Sequence, residues 1–269
     1  MTIAAIKTPS VVYPEPDGEP MAESDPARKY LVYGVEALQQ YFRHRPDVYV
    51  TGNLWLSYTQ GVPSAAVCPD VFVVFGVENR ERQSYKVWEE NGKTPDWVLE
   101  VTSKKTYRKD EQEKPDIYAQ MGVSEYFQYD PTGDYLNPPL KGRRLVGSRY
   151  QVLAPSRTED GTTAFSSVVL GLEMRLLPDG RLRFFDPETG EYLRTPQESE
   201  QERVREKELA AQERKRADRE KELAAQERER ADREKERADR LAARLLELGT
   251  HGISGLSICE TFGKLHNCN

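Results

Sequence analysis

The chain has 269 residues, room for one medium domain with appendages or two small domains. Charged residues make up 31% of it and the formal net charge is −6, which argues against coating nucleic acid by bulk charge but leaves room for one local basic patch. Three scattered cysteines, Cys68, Cys259 and Cys268, form neither a disulfide framework nor a zinc site, and fit a reducing compartment.

Residues 1–28 are rich in Pro, Ser, Glu and Ala and read as an irregular extension. They lack the basic-then-apolar pattern of a signal peptide. No apolar run in the chain approaches the roughly eighteen residues that span a bilayer, so no membrane association is expected and the expected location is cytoplasmic. Leu31, Val35, Leu38, Tyr41 and Phe42 recur at helical spacing and predict an amphipathic helix over 29–45, ended by Pro46. Strands follow at Tyr49-Val50, at Leu54–Tyr58 and, after a Gly61-Val62-Pro63 turn, over Val67–Phe75. The last is apolar enough to be covered on both faces. Residues 76–93 read as a long polar loop of a length that often carries function. Another strand is expected over Trp97–Thr102, a helix over 104–121 interrupted or restarted at Pro115, a cap at Gly122, and a strand over Glu125–Tyr129. Short strands and turns fill 132–195, among them Tyr150–Leu153, Val168–Leu177 and Leu182–Phe185, with Pro178-Asp179-Gly180 closing a hairpin.

From residue 196 the composition changes. Arg205–Asp218 reads REKELAAQERKRAD and Arg219–Asp232 reads REKELAAQERERAD, a repeat of two heptads. Strong helix formers fill 197–248 without a Gly or Pro, so one long helix is expected. Ala210, Ala217, Ala224, Ala231, Ala238 and Leu245 recur every seven residues. Alanine buries little area, so a coiled coil through this seam would be weak, and a charge-laced single helix stands beside it as an equal reading. Glu229 with Arg233 and Glu236 with Arg240 are expected i,i+4 pairs. Residues 249–269 abandon the pattern and read as an irregular tail. The expected organisation is therefore an extension (1–28), an α/β domain (29–195), a charged helix (196–248) and a tail (249–269).

The chemistry concentrates in two apolar runs about thirty residues apart, Pro69-Asp70-Val71-Phe72-Val73-Val74 and Pro95-Asp96-Trp97-Val98-Leu99-Glu100-Val101-Thr102-Ser103. A buried carboxylate without a partner is costly, and two on neighbouring strands repel unless a cation or proton joins them. Strand alternation puts Glu100 on one face with Val98 and Thr102, and Asp70 on one face with Phe72 and Val74. If the strands are neighbours, Asp70, Glu100 and the carbonyl of Val101 can hold one Mg²⁺, or Mn²⁺. Lys104, Lys105, Arg108 and Lys109 follow at once and could hold a nucleic-acid backbone. Metal, carboxylates and a lysine are the parts needed to hydrolyse a phosphodiester. Glu36 is a weaker candidate ligand, more readily a solvated helix residue. Ser103 reads as a helix cap, Asp96 as a turn residue, and Tyr118 as core packing.

The order Asp70 … Glu100-x-Thr102 resembles the PD-(D/E)XK nuclease core. The stretch from Tyr30 to Asp130 is similar, more specifically, to the Uma-type family of restriction endonuclease-like proteins. Pro69-Asp70-Val71, Glu100-Val101-Thr102-Ser103, Asp110, Lys114, Tyr118, the run Gly122–Phe127 and Asp130-Pro131 carry the likeness. The resemblance implies a mixed central sheet flanked by helices, metal-dependent cleavage of DNA, and catalytic roles for Asp70 and Glu100. Thr102 stands where the general pattern has a lysine. The resemblance implies that the following helix supplies it, with Lys114 the first choice because Asp110, Lys114 and Tyr118 lie four apart on one helix face, and Lys104 the second. A catalytically degenerate adaptor, acting through a homodimer or a helical protein partner on 197–248, is the first rival. A hydrolase of small phosphorylated substrates is the second, and no GxxxxGKS-like loop supports it.

Overall fold

The computed structural model describes Tyr13 and residues 24–250, with side chains to residue 246. The expected extension therefore lies mostly, and the tail from residue 251 wholly, outside the described residues.

Helix α1 spans Asp25–Tyr41 and begins four residues before the expected start. The Ser24 hydroxyl accepts from the Ala27 amide, and Pro26 occupies the first turn, a start signal that the apolar spacing alone does not show. It stops at Tyr41, ahead of Pro46. Short strands follow: β1 (Val48–Thr51), β2 (Leu56–Ser57), β3 (Ala66–Val67), β4 (Val71–Phe75) and β5 (Tyr85–Lys86). The run expected as one strand over 67–75 is thus two. Pro69 has no amide to donate, and its carbonyl accepts from Asn53, so the chain leaves one sheet and enters another there. The expected loop 76–93 contains β5 and a 3₁₀ turn at Val87–Glu90.

Strand β6 (Trp97–Val101) leads into α2 (Tyr107–Gln112) and α3 (Lys114–Met121), then β7 (Glu125–Tyr129). The helical stretch restarts around Pro115, as its sequence suggests, and Gly122 closes it with φ 81°. Strands β8 (Leu140–Val146) and β9 (Arg149–Val152) follow, and then β10 (Ser156–Arg157), β11 (Thr163–Ser167), β12 (Leu172–Leu176), β13 (Leu182–Asp186) and β14 (Glu191–Tyr192). The turn at 178–180 joins β12 to antiparallel β13. Helix α4 runs over Pro196–Thr250.

The main sheet has six strands in the order β1-β4-β6-β7-β8-β9. Within this sheet only β6 and β7 are parallel, joined by a helical crossover, α2 and α3; β2 and β5, in a small sheet, also pair parallel. The antiparallel sheet β10–β14 is separate, as is the small sheet β3-β2-β5. Alternation along β4 and β6 feeds two cores. Val71, Val73, Trp97, Leu99 and Val101 pack with α1 residues and with Phe165, Met174 and Phe184 of the second sheet. Phe72, Val74 and Val98 pack with Tyr118 and Tyr126 on the opposite face. Glu125 is buried at the join of the two larger sheets, where it accepts from Arg144, Ser167 and the Val168 amide.

The described residues fall into two units, one to Gln201 and one from Glu202 onward. In the second, Glu229–Arg233 and Glu236–Arg240 pair as expected, and Leu209 and Leu223 are exposed. No described helix is long and apolar enough to cross a membrane.

Candidate active site

Antiparallel pairing sets Phe72 against Val98. Continued by two residues, that register brings Asp70 to the level of Glu100, and the Val101 amide donates to Asp70 Oδ2 at 2.7 Å. The two carboxylates are thus neighbours because each sits two residues along one face from an apolar pair that locks the register. Glu100 and Asp110 are fully buried. Lys114 Nζ lies 2.7 Å from Glu100 Oε2 and 2.9 Å from Asp110 Oδ1. The Tyr118 hydroxyl donates to Glu100 Oε1. The expected four-residue series Asp110, Lys114, Tyr118 therefore converges on Glu100, even though α2 gives way to α3 within it.

A cleft of about 360 Å³ opens onto this group, with Asp70, Val101 and Lys114 on its wall beside Asn53, Lys105 and Thr106. Glu100 and Asp110 do not line it; Lys114, which touches both, does. Of the basic run after β6, Lys105 lines the cleft, and Lys104, Arg108 and Lys109 are exposed beside it in the sequence. Glu36 is exposed on α1 and is not part of the wall. Ser103 lines the cleft, and its carbonyl accepts from the Thr106 and Tyr107 amides at the entry to α2. Asp96 does more than turn the chain: its Oδ2 accepts from the Phe75 amide, tying β4 to the start of β6.

Three carboxylates, Asp70, Glu100 and Asp110, share one lysine. Burial pushes the Asp70 carboxyl well above the usual range, and the Glu100 charge adds to it. Burial likewise raises Glu100, against the opposing pull of Lys114. Burial works against the Lys114 charge, yet Glu100, Asp110 and Asp70 outweigh it and raise its pKa. Asp110 Oδ2 is buried without a hydrogen-bond partner. The cluster is short of positive charge, and its donors are all hard oxygens, the set a Mg²⁺ or Mn²⁺ ion takes. Among the described residues no three His, Cys, Asp or Glu side chains are grouped to ligate a metal. Asp70, Glu100 and the Val101 carbonyl would hold one with water completing the shell, which suits Mg²⁺. In that sense the donors fit a divalent cation, which would share Glu100 with Tyr118 and Lys114, the partners of its two oxygens.

Sequence reading left one support of this site without a role and passed over another. Spacing put Asp110 on the Lys114 face, but its full burial in the cluster comes from packing. Gly52 was not singled out at all. A Cβ on it would lie 2.0 Å from the Asp70 carbonyl oxygen and 2.8 Å from Val35, and the next residue, Asn53, has φ 50° and donates to the Pro69 carbonyl. No side chain fits there without moving the Asp70 backbone. Gly52→Ala is expected to lower stability by about 1–3 kcal/mol and any cleavage by roughly 100-fold. Thermal melting and a cleavage assay on the same preparation would check this; unchanged cleavage would show that Asp70 does not need this contact.

No curated protein matches the chain. A solved structure from Anabaena variabilis ATCC 29413, described as a putative nuclease belonging to DUF820, is similar at 13% identity with a TM-score of 0.38. The match covers 52% of this chain and 74% of that one. The Uma2 family, described as "Putative restriction endonuclease", matches residues 16–218, which takes in α1, the main sheet, the carboxylate cluster and the start of α4. The chain belongs to the Uma2 family of restriction endonuclease-like proteins.

Proposed function

We propose that the chain is a metal-dependent endonuclease that hydrolyses phosphodiester bonds in DNA. The observation that carries this reading is the convergence of Asp70, Glu100 and Lys114, from three separate stretches of the chain, at a cleft whose wall holds Asp70, Lys114 and Lys105. Asp70, Glu100 and the Val101 carbonyl would hold the metal. A bound Mg²⁺ or Mn²⁺ would supply an activated water and neutralise charge on the phosphate. Lys114, held in its charged form between Glu100 and Asp110, places a positive charge at the cleft wall where negative charge grows on the phosphate oxygens. Tyr118 fixes the Glu100 carboxylate from the far side. Lys104, Lys105, Arg108 and Lys109 contact the backbone and set the register of the strand without reading its sequence.

Incubation of the full chain with supercoiled and linear DNA in Mg²⁺, Mn²⁺ or EDTA tests this. Nicking or cutting is expected with either metal, none with EDTA, and none for Asp70→Ala or Glu100→Ala. Absence of cleavage by the wild type under all three conditions would sink the reading.

One observation favours a second reading, a degenerate adaptor: α4 leaves Leu209, Leu223 and Leu241 exposed along a long charged helix, as a homodimer or a helical partner would use it. The adaptor reading predicts no metal-dependent cleavage, and loss of function on deleting α4 rather than on Asp70→Ala.

A further inference from the structure

Next to the cleft, two tyrosines are arranged in a way that the hydrolytic site does not require. Tyr107 opens α2 directly after Lys105 and Thr106, both in the cleft wall. Tyr135 comes from the loop after β7. Their rings stack, with centroids 5.7 Å apart and planes at 28°, and both are half-buried. The Arg108 side chain donates to the Tyr107 hydroxyl at 2.9 Å, and its guanidinium lies 5.6 Å from that ring.

The loop that carries Tyr135 does not need this ring for its shape. Asp130 accepts from the Thr132 amide and hydroxyl on Oδ1 and from the Tyr135 and Leu136 amides on Oδ2, and Leu136 is itself buried. The ring is therefore held out by a loop already fixed from within. Between residues 104 and 109 there are four cations and no acid. Asp134, exposed beside Tyr135, repels a phosphate there, so what the loop offers a nucleic acid is its aromatic surface rather than charge.

We propose that Tyr107 and Tyr135 form a base-stacking platform at the rim of the cleft, and that the DNA taken by this site carries an unpaired nucleotide beside the bond to be cut. This rests on the nuclease reading and narrows its substrate to single-stranded, gapped or frayed DNA. Every base has a π-face to lay on such a surface, and an arginine beside the rings adds to the attraction. In an intact duplex those faces are already stacked on one another, so the platform gains nothing from it.

The test uses the full chain in EDTA, where no cutting occurs, with a single strand bearing 2-aminopurine and with the same strand in a duplex. Anisotropy should show tighter binding of the single strand, and 2-aminopurine fluorescence should fall on binding. Tyr107→Leu and Tyr135→Leu should each weaken single-strand binding roughly 5- to 150-fold and leave duplex binding unchanged. Tyr107→Phe and Tyr135→Phe should bind as the wild type does. Equal loss on both substrates, no loss on the single strand, or no fluorescence change with the wild type would each overturn the platform; the last holds even if a leucine variant fails to fold. Tyrosine-dependent binding of the single strand, with no cleavage of any DNA in Mg²⁺ or Mn²⁺, would overturn the nuclease reading and leave the platform standing.

Discussion

Lys114→Met is expected to abolish cleavage, by at least about 100-fold, and also to weaken the fold. On the nuclease reading the activity loss follows from removing the lysine that touches the carboxylate cluster at the cleft wall, an effect on the order of 10²–10³-fold for a single preorganised charge or donor. The stability loss has a separate cause. Among the described residues Lys114 is the one ammonium paired with Glu100 and Asp110, both fully buried, and the Asp70 charge acts on it too. Removing one partner of a buried ion pair costs about 3–5 kcal/mol, because the charge left behind has no partner. The sign of the pH dependence follows. Without the lysine, the Asp70 and Glu100 carboxyls, already raised by burial, move further above their unfolded values. The stability of the protonated form is then fully present below the unfolded carboxyl range and lost as the pH rises through the raised folded values. The gap in melting temperature between variant and wild type should therefore be small near pH 4 and widen toward pH 8. Lys114→Arg keeps the charge but spreads it over a planar fork that does not fit a site built for a point charge; it should restore much of the stability and little of the activity. A gap that stays constant with pH would mean that Lys114 does not compensate the carboxylates.

Asp70→Asn should do the reverse to stability while also destroying activity. Asp70 carries a charge that burial and Glu100 both disfavour. In the metal-free protein its raised pKa makes the fold lose stability as the pH rises from the ordinary carboxyl range through the raised value. Asparagine removes that charge and keeps an oxygen for the Val101 amide. The metal-free variant is expected to be more stable than the wild type at pH 8 by roughly 0.5–2 kcal/mol, the usual scale on which relief of functional strain is recovered. Its cleavage should fall by at least about 100-fold, since loss of a neighbour of a metal ligand already costs up to that much. Differential scanning fluorimetry with EDTA and with Mg²⁺ gives a second readout. Mg²⁺ should raise the melting temperature of the wild type at pH 8 and leave Asp70→Asn nearly unchanged. A wild type whose melting temperature ignores Mg²⁺ and Mn²⁺ would count against a metal held by Asp70.

The two predictions pull stability in opposite directions from one cause, the excess of carboxylate over lysine in the cluster. Gly52 belongs to the same balance. It lets the chain pass within van der Waals reach of the Asp70 carbonyl, so that a carboxyl disfavoured by its surroundings is kept in place by packing rather than by an ion pair.

Much of this was readable in the sequence because it is local. Apolar runs at 71–75 and 97–101, a helical restart at Pro115, a cap at Gly122 and the strand 125–129 are set by the chain's own short-range sterics and patterning. Strand alternation alone put Glu100 with Val98 and Asp70 with Phe72, and the two cores divide along that line. The likeness to the Uma-type family was carried by the same residues. What only the tertiary structure decided is everything that depends on register between distant segments. The break at Pro69 arises because its carbonyl is taken by Asn53, sixteen residues earlier. Asp110 acquires its place through an approach of α2 and α3 to β6 that no spacing rule specifies, and the Tyr107–Tyr135 stack joins residues from two elements. Local sequence fixes φ, ψ and which way a side chain points; which charges end up sharing one lysine is settled by how the elements pack.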